Sequence, residues 1–303
     1  MSDGQDVPSE RTQFVPTRLR PGEATRSLPD APPQELRFKR RASVVRSLGD
    51  LWRNREIVRS LTERQLRSRY KQATLGFAWA LAGPLSLLVV FVLLNRVADI
   101  DTNGAPYVLF SFIGLLAWTF FSTSVNSGAT SLLSNTSLLN KMACPRELFP
   151  VSSLLVAGID TVVASSVLVI LFAVEGTLPE PTIYWVPLLM LVQILFTLGV
   201  TLVFAISVVY LRDVRHALPL IMQVGLLATP VAYSLDVIPP EWRPLYSLAN
   251  PLGPVIDGYR RALLENRAPE WDLLGLAAIT TVLVLSLGFW LFKRLEGGVI
   301  DVS

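Results

Sequence analysis

Arg69–Pro84 reads RYKQATLGFAWALAGP, and it divides the chain into two regimes. Upstream, residues 1–72 hold 16 of the 27 Lys and Arg against 9 acids. Downstream, Gln72–Asn95 runs for 24 residues without a charge. As a helix that run is about 36 Å long, more than the ~30 Å hydrocarbon core of a bilayer. Arg69 and Lys71 therefore mark a water boundary, and Leu75 onward is expected to enter lipid.

The totals agree with that division. The chain has 303 residues, 51% hydrophobic and 17% charged. Soluble domains carry about 25% charged residues. The deficit and the recurrent apolar runs predict an all-α, polytopic membrane protein. One Cys, Cys144, and one His, His216, exclude a disulfide framework and a Cys/His metal cluster within one chain. A net charge of +3 is no nucleic-acid signal.

Outward from the dividing stretch, three regions are expected: a tail (1–42), an interface helix (43–72) and a six-span transmembrane domain (73–303). The tail is rich in Pro and Arg and lacks a large apolar cluster, so it reads as disordered and cytoplasmic. In the interface helix Leu48, Leu51, Trp52, Val58, Leu61 and Leu66 recur near helical spacing, with Arg46, Arg53, Arg64 and Arg67 mostly between them. That is a basic amphipathic helix, expected to lie in the membrane surface with Trp52 at headgroup depth.

The first span is placed at Leu75–Asn95, thinned by Gly76 and Gly83 and kinked at Pro84. Thr102–Asn140 is charge-free for 39 residues. Its first half is apolar and aromatic and its second half is rich in Ser, Thr and Asn. The reading is one span, Tyr107–Gly128, followed by a polar segment leaving the bilayer. Phe149–Val174 and Tyr184–Leu211 form the third and fourth spans. LRDVRHALP (Leu211–Pro219) is a charged loop opening a short fifth span, Leu218–Tyr233. Leu235–Asp272 is too Pro-rich for one straight span and too apolar for an open loop. It predicts two short re-entrant helices broken around Asn250–Pro254, where protein or a water-filled cavity can surround irregular backbone. Leu273–Phe292 is the last span.

Six spans put both termini on one side. With the N-terminus in the cytoplasm, 22 Lys and Arg fall inside and 5 outside, in line with the positive-inside rule. The bias rests on the N-terminal segment. The expected location is the plasma (inner) membrane.

No Gly is followed by Lys anywhere, so the chain has no P-loop for ATP. No nucleophile–base set, water-facing carboxylate pair or metal spacing occurs either, which argues against an enzyme. Asp160 is the one clear mid-span ionisable group. It is either functional or paired to a polar group on a neighbouring helix. Trp118, Phe120 and Phe121 sit within a span and, with Asp160, are channel-lining candidates; interfacial or lipid-facing rings are the ordinary alternative.

Four stretches together resemble the membrane permease of polysaccharide exporters in the ATP-binding cassette superfamily, the type-2 permeases for O-antigen, teichoic acid and capsule. They are the basic helix running into Arg69–Gln72 and Leu75–Ala80; Leu138–Lys141 with Pro145–Pro150; Tyr210–His216; and Pro239–Leu264. The resemblance implies a half-transporter. Two copies would form a pore, with two separate ATPase subunits beneath that bind ATP and Mg, so this chain needs no cofactor of its own. It implies that Lys141, Arg146, Glu147, Arg212, Asp213, Arg215 and His216 face the ATPase. It implies an outer gate including Trp242, Asn250, Pro251, Tyr259 and Arg260. The substrate implied is a lipid-linked polysaccharide. A drug or small-lipid exporter of the same superfamily, a glycan-processing membrane enzyme and an ion-coupled carrier are the other readings.

Overall fold

A computed structural model describes residues 53–70, 78–98, 100, 102, 104–139 and 144–298. The Pro-rich tail, Trp52, the start of the first span and Lys141 lie outside the described residues. All regular structure among the described residues is helical, as a chain in hydrocarbon requires, since a helix satisfies its own backbone. The helices are α1 (Arg55–Tyr70), α2 (Ala78–Ala98), α3 (Tyr107–Ser134), α4 (Thr136–Leu139), α5 (Leu148–Val174), α6 (Val186–Tyr210), α7 (Val214–Ala228), α8 (Arg243–Ala249), α9 (Leu252–Leu264) and α10 (Trp271–Leu295). Among the described residues, five segments are long and apolar enough to cross a membrane: Leu81–Ala98, Tyr107–Ser134, Leu148–Val174, Pro181–Tyr210 and Trp271–Leu295.

α3 is the hub. It packs on α2, α5, α6, α7 and α9, and 78% of its most apolar stretch is buried, against 17% for α2. Leu109, Phe112, Leu115, Val125 and Ala129 are wholly enclosed along it. α2, by contrast, presents Val89, Val90, Leu93, Leu94 and Val97 outward, as a lipid-facing helix does.

The polar half of α3 corrects an expectation. The helix does not stop near Gly128; it continues to Ser134. The Ser, Thr and Asn side chains that suggested an exit fold back on their own helix. Asn126 donates to the Ser122 carbonyl at 2.8 Å, Ser131 to Gly128 at 2.6 Å and Ser134 to Thr130 at 2.9 Å. A hydroxyl satisfied this way no longer demands water. Pro84 likewise lies inside α2, in its second turn, without ending it.

The short fifth span also shifts. α7 begins at Val214, earlier than expected, and ends at Ala228, with Thr229–Tyr233 unwound. Its 15 residues cover about 22 Å, less than a bilayer core. The two short helices α8 and α9 break at Asn250–Pro251, where Pro cannot continue the preceding helix.

α6 and α10 are parallel and in contact along their length. Trp185 meets Trp271 at one end, with ring centroids 4.7 Å apart, and Tyr210 Oη donates to Leu295 O at 2.7 Å at the other. Two parallel neighbours require the chain between them to return, so residues 211–270 carry it from the second end back to the first. Midway, Gly288 lies against the backbone carbonyl of Gly199, and a Cβ on Gly199 would meet Leu285 Cα at 2.8 Å. Small residues permit such close crossings. Gly288→Ala is expected to cost about 1–3 kcal/mol by overpacking, and Gly288→Leu to leave no monodisperse protein. Thermal melting in detergent reads both, and a wild-type melt for Gly288→Leu would refute the backbone-to-backbone contact.

Of the interface helix expected over 43–72, residues 55–70 form α1. Its apolar residues Val58 and Leu61 turn into the protein and pack with Leu139, Leu148, Phe149 and Phe292. Arg59, Glu63 and Arg67 remain outward. The described part of the apolar stripe packs on the bundle's own end, while Leu48, Leu51 and Trp52 lie outside the described residues.

Candidate functional site

The end of α3, the start of α5 and the ends of α6 and α10 gather where α1 lies. There Pro145–Pro150 turns into α5, with Leu148 N and Phe149 N donating to Pro145 O and Arg146 O, each at 3.3 Å. Pro150 falls in the first helical turn, where a missing N–H does no harm. Leu148 and Phe149 are buried anchors. Glu147 is not on the surface: only 3% of it is exposed, and Lys293 Nζ at the end of α10 lies 2.8 Å from its carboxylate. Lys293 also reaches Glu296 at 3.2 Å. Burial pushes the Glu296 carboxyl above its ordinary pKa, while the Lys293 ammonium pulls it down. Glu147 therefore ties this turn to the last long helix instead of meeting solvent. Arg146 beside it has a buried Nη1 without a hydrogen-bond partner.

At the same end Arg212, Asp213, Arg215 and His216 are exposed. Asp213 precedes the first residue of α7, where a negative charge suits the helix dipole, although its side chain makes no capping hydrogen bond. Arg215 Nε donates to His216 Nε2 at 3.0 Å. These four side chains form a charged knuckle between two apolar helices.

Asp160 is paired. Arg69 Nη1 lies 2.6 Å from Oδ2, and Tyr70 Oη donates to Oδ1 at 2.7 Å. Burial, and then the facing carboxylate, pushes the Tyr70 hydroxyl up to about 12, so it stays a donor. The pair closes a seam between α1 and α5. Gln65 Nε2 donates to Ser152 Oγ at 3.2 Å, and Arg64 reaches Asn135 at the end of α3. Beside Asp160, Thr119, Thr123 and Thr161 line a crevice of about 10 Å³. That is room for one water at most.

The aromatic channel candidates are corrected too. Trp118, Phe120 and Phe121 are each no more than 7% exposed. Phe121 stacks on Phe196 at 5.7 Å, Trp118 tilts against Phe121 at 5.4 Å, and Trp118 fills the space left by Gly225 of α7. Phe120 packs with Leu154 and Ala157. α3 is central, so its rings are core.

At the far end, Trp242 is 57% exposed, but the other gate candidates are locked in place. Asn250 Nδ2 donates to Thr229 Oγ1 at 2.8 Å and to Tyr246 Oη at 3.0 Å, and Tyr246 Oη donates to Ala228 O at 2.8 Å. Pro251 opens α9 from a buried position. Tyr259 Oη donates to Gln193 Oε1 at 2.8 Å, and Gln193 Nε2 to Ala117 O at 2.8 Å. Arg260 is 1% exposed and donates to four main-chain carbonyls, those of Phe110, Pro230, Val231 and Tyr233. Phe110, Gln193, Thr229 and Lys293 complete these arrangements, and sequence reasoning assigned none of them these contacts. The available signal was each ionisable residue in an apolar stretch, since Asp160, Arg260 and Lys293 all need partners.

Residues 56–264 match the family described as ABC-2 type transporter. The chain is 32% identical over 243 residues to the O-antigen export system permease protein RfbA of Myxococcus xanthus, covering 80% of this chain and 93% of that protein. It is 25% identical over 237 residues to an O-antigen export system permease protein RfbA of Klebsiella pneumoniae, covering 78% and 90%. It is 23% identical over 245 residues to the polysialic acid transport protein KpsM of Escherichia coli, covering 79% and 93%.

Proposed function

The chain belongs to the ABC-2 type transporter family, and from that premise we propose that it is the membrane permease of a polysaccharide exporter, moving a lipid-linked glycan across the plasma (inner) membrane. The observation that carries this reading is its similarity to O-antigen permeases along nearly their whole length. The exposed Arg212–His216 knuckle supports a separate ATPase as the energy source, because charged side chains on a rigid turn suit a cleft in a soluble partner. ATP and Mg would be bound there, not here. Both termini are cytoplasmic in this reading, and α7 with the unwound 229–233 segment makes a sixth crossing, a reading that the parallel pairing of α6 and α10 supports. Two copies complete a pore. The outward apolar faces of α2 and of α7, with Leu220, Val224 and Leu227, leave room for a second copy.

Purifying the tagged full chain in detergent tests this. The expected result is an ATPase with a P-loop retained in equal numbers. A chain that retains no ATPase would remove the energy source and the reading with it.

A further inference from the structure

We infer that Arg260 is a positioning residue, a pin that holds the unwound end of α7 against α3 and α9 so that the outer segments move as one unit. This rests in part on reading residues 239–264 as a gate.

α7 stops at Ala228, and the next carbonyls have no helical partner. In an apolar environment each would be costly to leave unpaired. Arg260 resolves this from another helix. Its Nη1 donates to Pro230 O at 2.8 Å and Tyr233 O at 3.0 Å, and its Nη2 to Val231 O at 2.6 Å. On the other side its Nε donates to Phe110 O at 3.1 Å, and its guanidinium lies 3.5 Å from the Phe110 ring centroid. One planar fork thus joins α9, the α7 terminus and the first turns of α3. No carboxylate makes an ion pair with Arg260 among the described residues, so its bonds all go to backbone.

Two neighbours support the assignment. A Cβ on Gly114 would stand 2.6 Å from Val231 O and 2.8 Å from Arg260 Nη2, so α3 is bare where the pin passes. Tyr107 Oη donates to Ala232 O at 3.0 Å, bracing the same loop. A lysine at 260 would keep the charge but, with a single nitrogen, could not span carbonyls on both sides.

Amide hydrogen exchange on the full chain in nanodiscs tests the pin directly. In Arg260→Gln, Arg260→Lys and Gly114→Ala, the amides of Thr229–Tyr233 are expected to exchange about tenfold faster or more, with α5 and α10 as in the wild type. Wild-type exchange at 229–233 in a monodisperse Arg260→Gln protein overturns the proposal. If that variant does not fold, wild-type exchange in both Arg260→Lys and Gly114→Ala overturns it equally. Dye leakage from proteoliposomes without ATP then separates the two readings. Faster exchange with faster leakage supports pin and gate together. Faster exchange with no leakage keeps the pin and removes the gate reading.

Discussion

Reversing both charges of the knuckle, Arg212→Glu with Arg215→Glu, is expected to lower glycan export at least about a hundredfold while the chain still inserts and folds. The two guanidinium groups are exposed and form no ion pair among the described residues. Their loss therefore has little to disturb inside this chain, since surface substitutions away from special features usually stay within about 0.5 kcal/mol. Desolvated charge pairs across an interface are different. Truncating one partner costs about 2–5 kcal/mol, and reversal adds repulsion. The signature is a normal melting temperature, loss of the ATPase on purification and loss of surface glycan. Wild-type export by the double variant would show that the knuckle couples nothing.

The second large effect is at the seam between α1 and α5. Asp160→Arg places two cations together where Arg69 now meets a carboxylate. The side chains are 13% and 39% exposed for Asp160 and Arg69. The pair is therefore neither a surface bridge, worth about 0–1 kcal/mol, nor a fully buried one, where breaking costs about 3–5 kcal/mol. A loss of about 1–3 kcal/mol is expected. It should appear as a lower melting temperature and weaker export. Adding Arg69→Asp recreates the pair with its ends exchanged and should recover most of both. Asp160→Asn keeps two hydrogen-bonding sites and should lie between. If the exchanged pair recovers nothing, the charges act separately and the seam is only a coincidence of packing.

Much of this molecule was legible in the sequence. Apolar runs bounded by charge gave the third, fourth and last long helices to within a few residues, because length and apolarity are what a bilayer selects. The break at Asn250–Pro251 was legible because Pro cannot continue a helix. The reach of α3 to Ser134 was not, since a list of Ser and Thr does not reveal whether their hydroxyls face water or the preceding turn. The direction of the apolar stripe on α1 was hidden for a related reason: periodicity shows that a face is apolar, not what covers it. At the sites, composition flagged Asp160 as functional or paired but could not choose its partner, and Arg260 entered only through the family resemblance. Arg69 is 91 residues from Asp160 and Phe110 is 150 from Arg260. Glu147 was expected on a contact surface because the resemblance implies it; only the end of α10 in three dimensions shows that Lys293 claims it.

The parallel pairing of α6 and α10 has a mechanical consequence. Two helices joined at both ends and crossed at bare glycine midway behave as one two-ply strut, about 37 Å long at 1.5 Å per residue. A strut of that kind has little slack. One end carries Lys293 and through it the Glu147 turn; the other carries Trp271 and the aromatic contact with Trp185. A push delivered at the first end would arrive at the second as displacement rather than be absorbed as bending. Compliance would then reside in the peripheral member α2, whose outward face carries Val89, Val90, Leu93, Leu94 and Val97 exposed among the described residues.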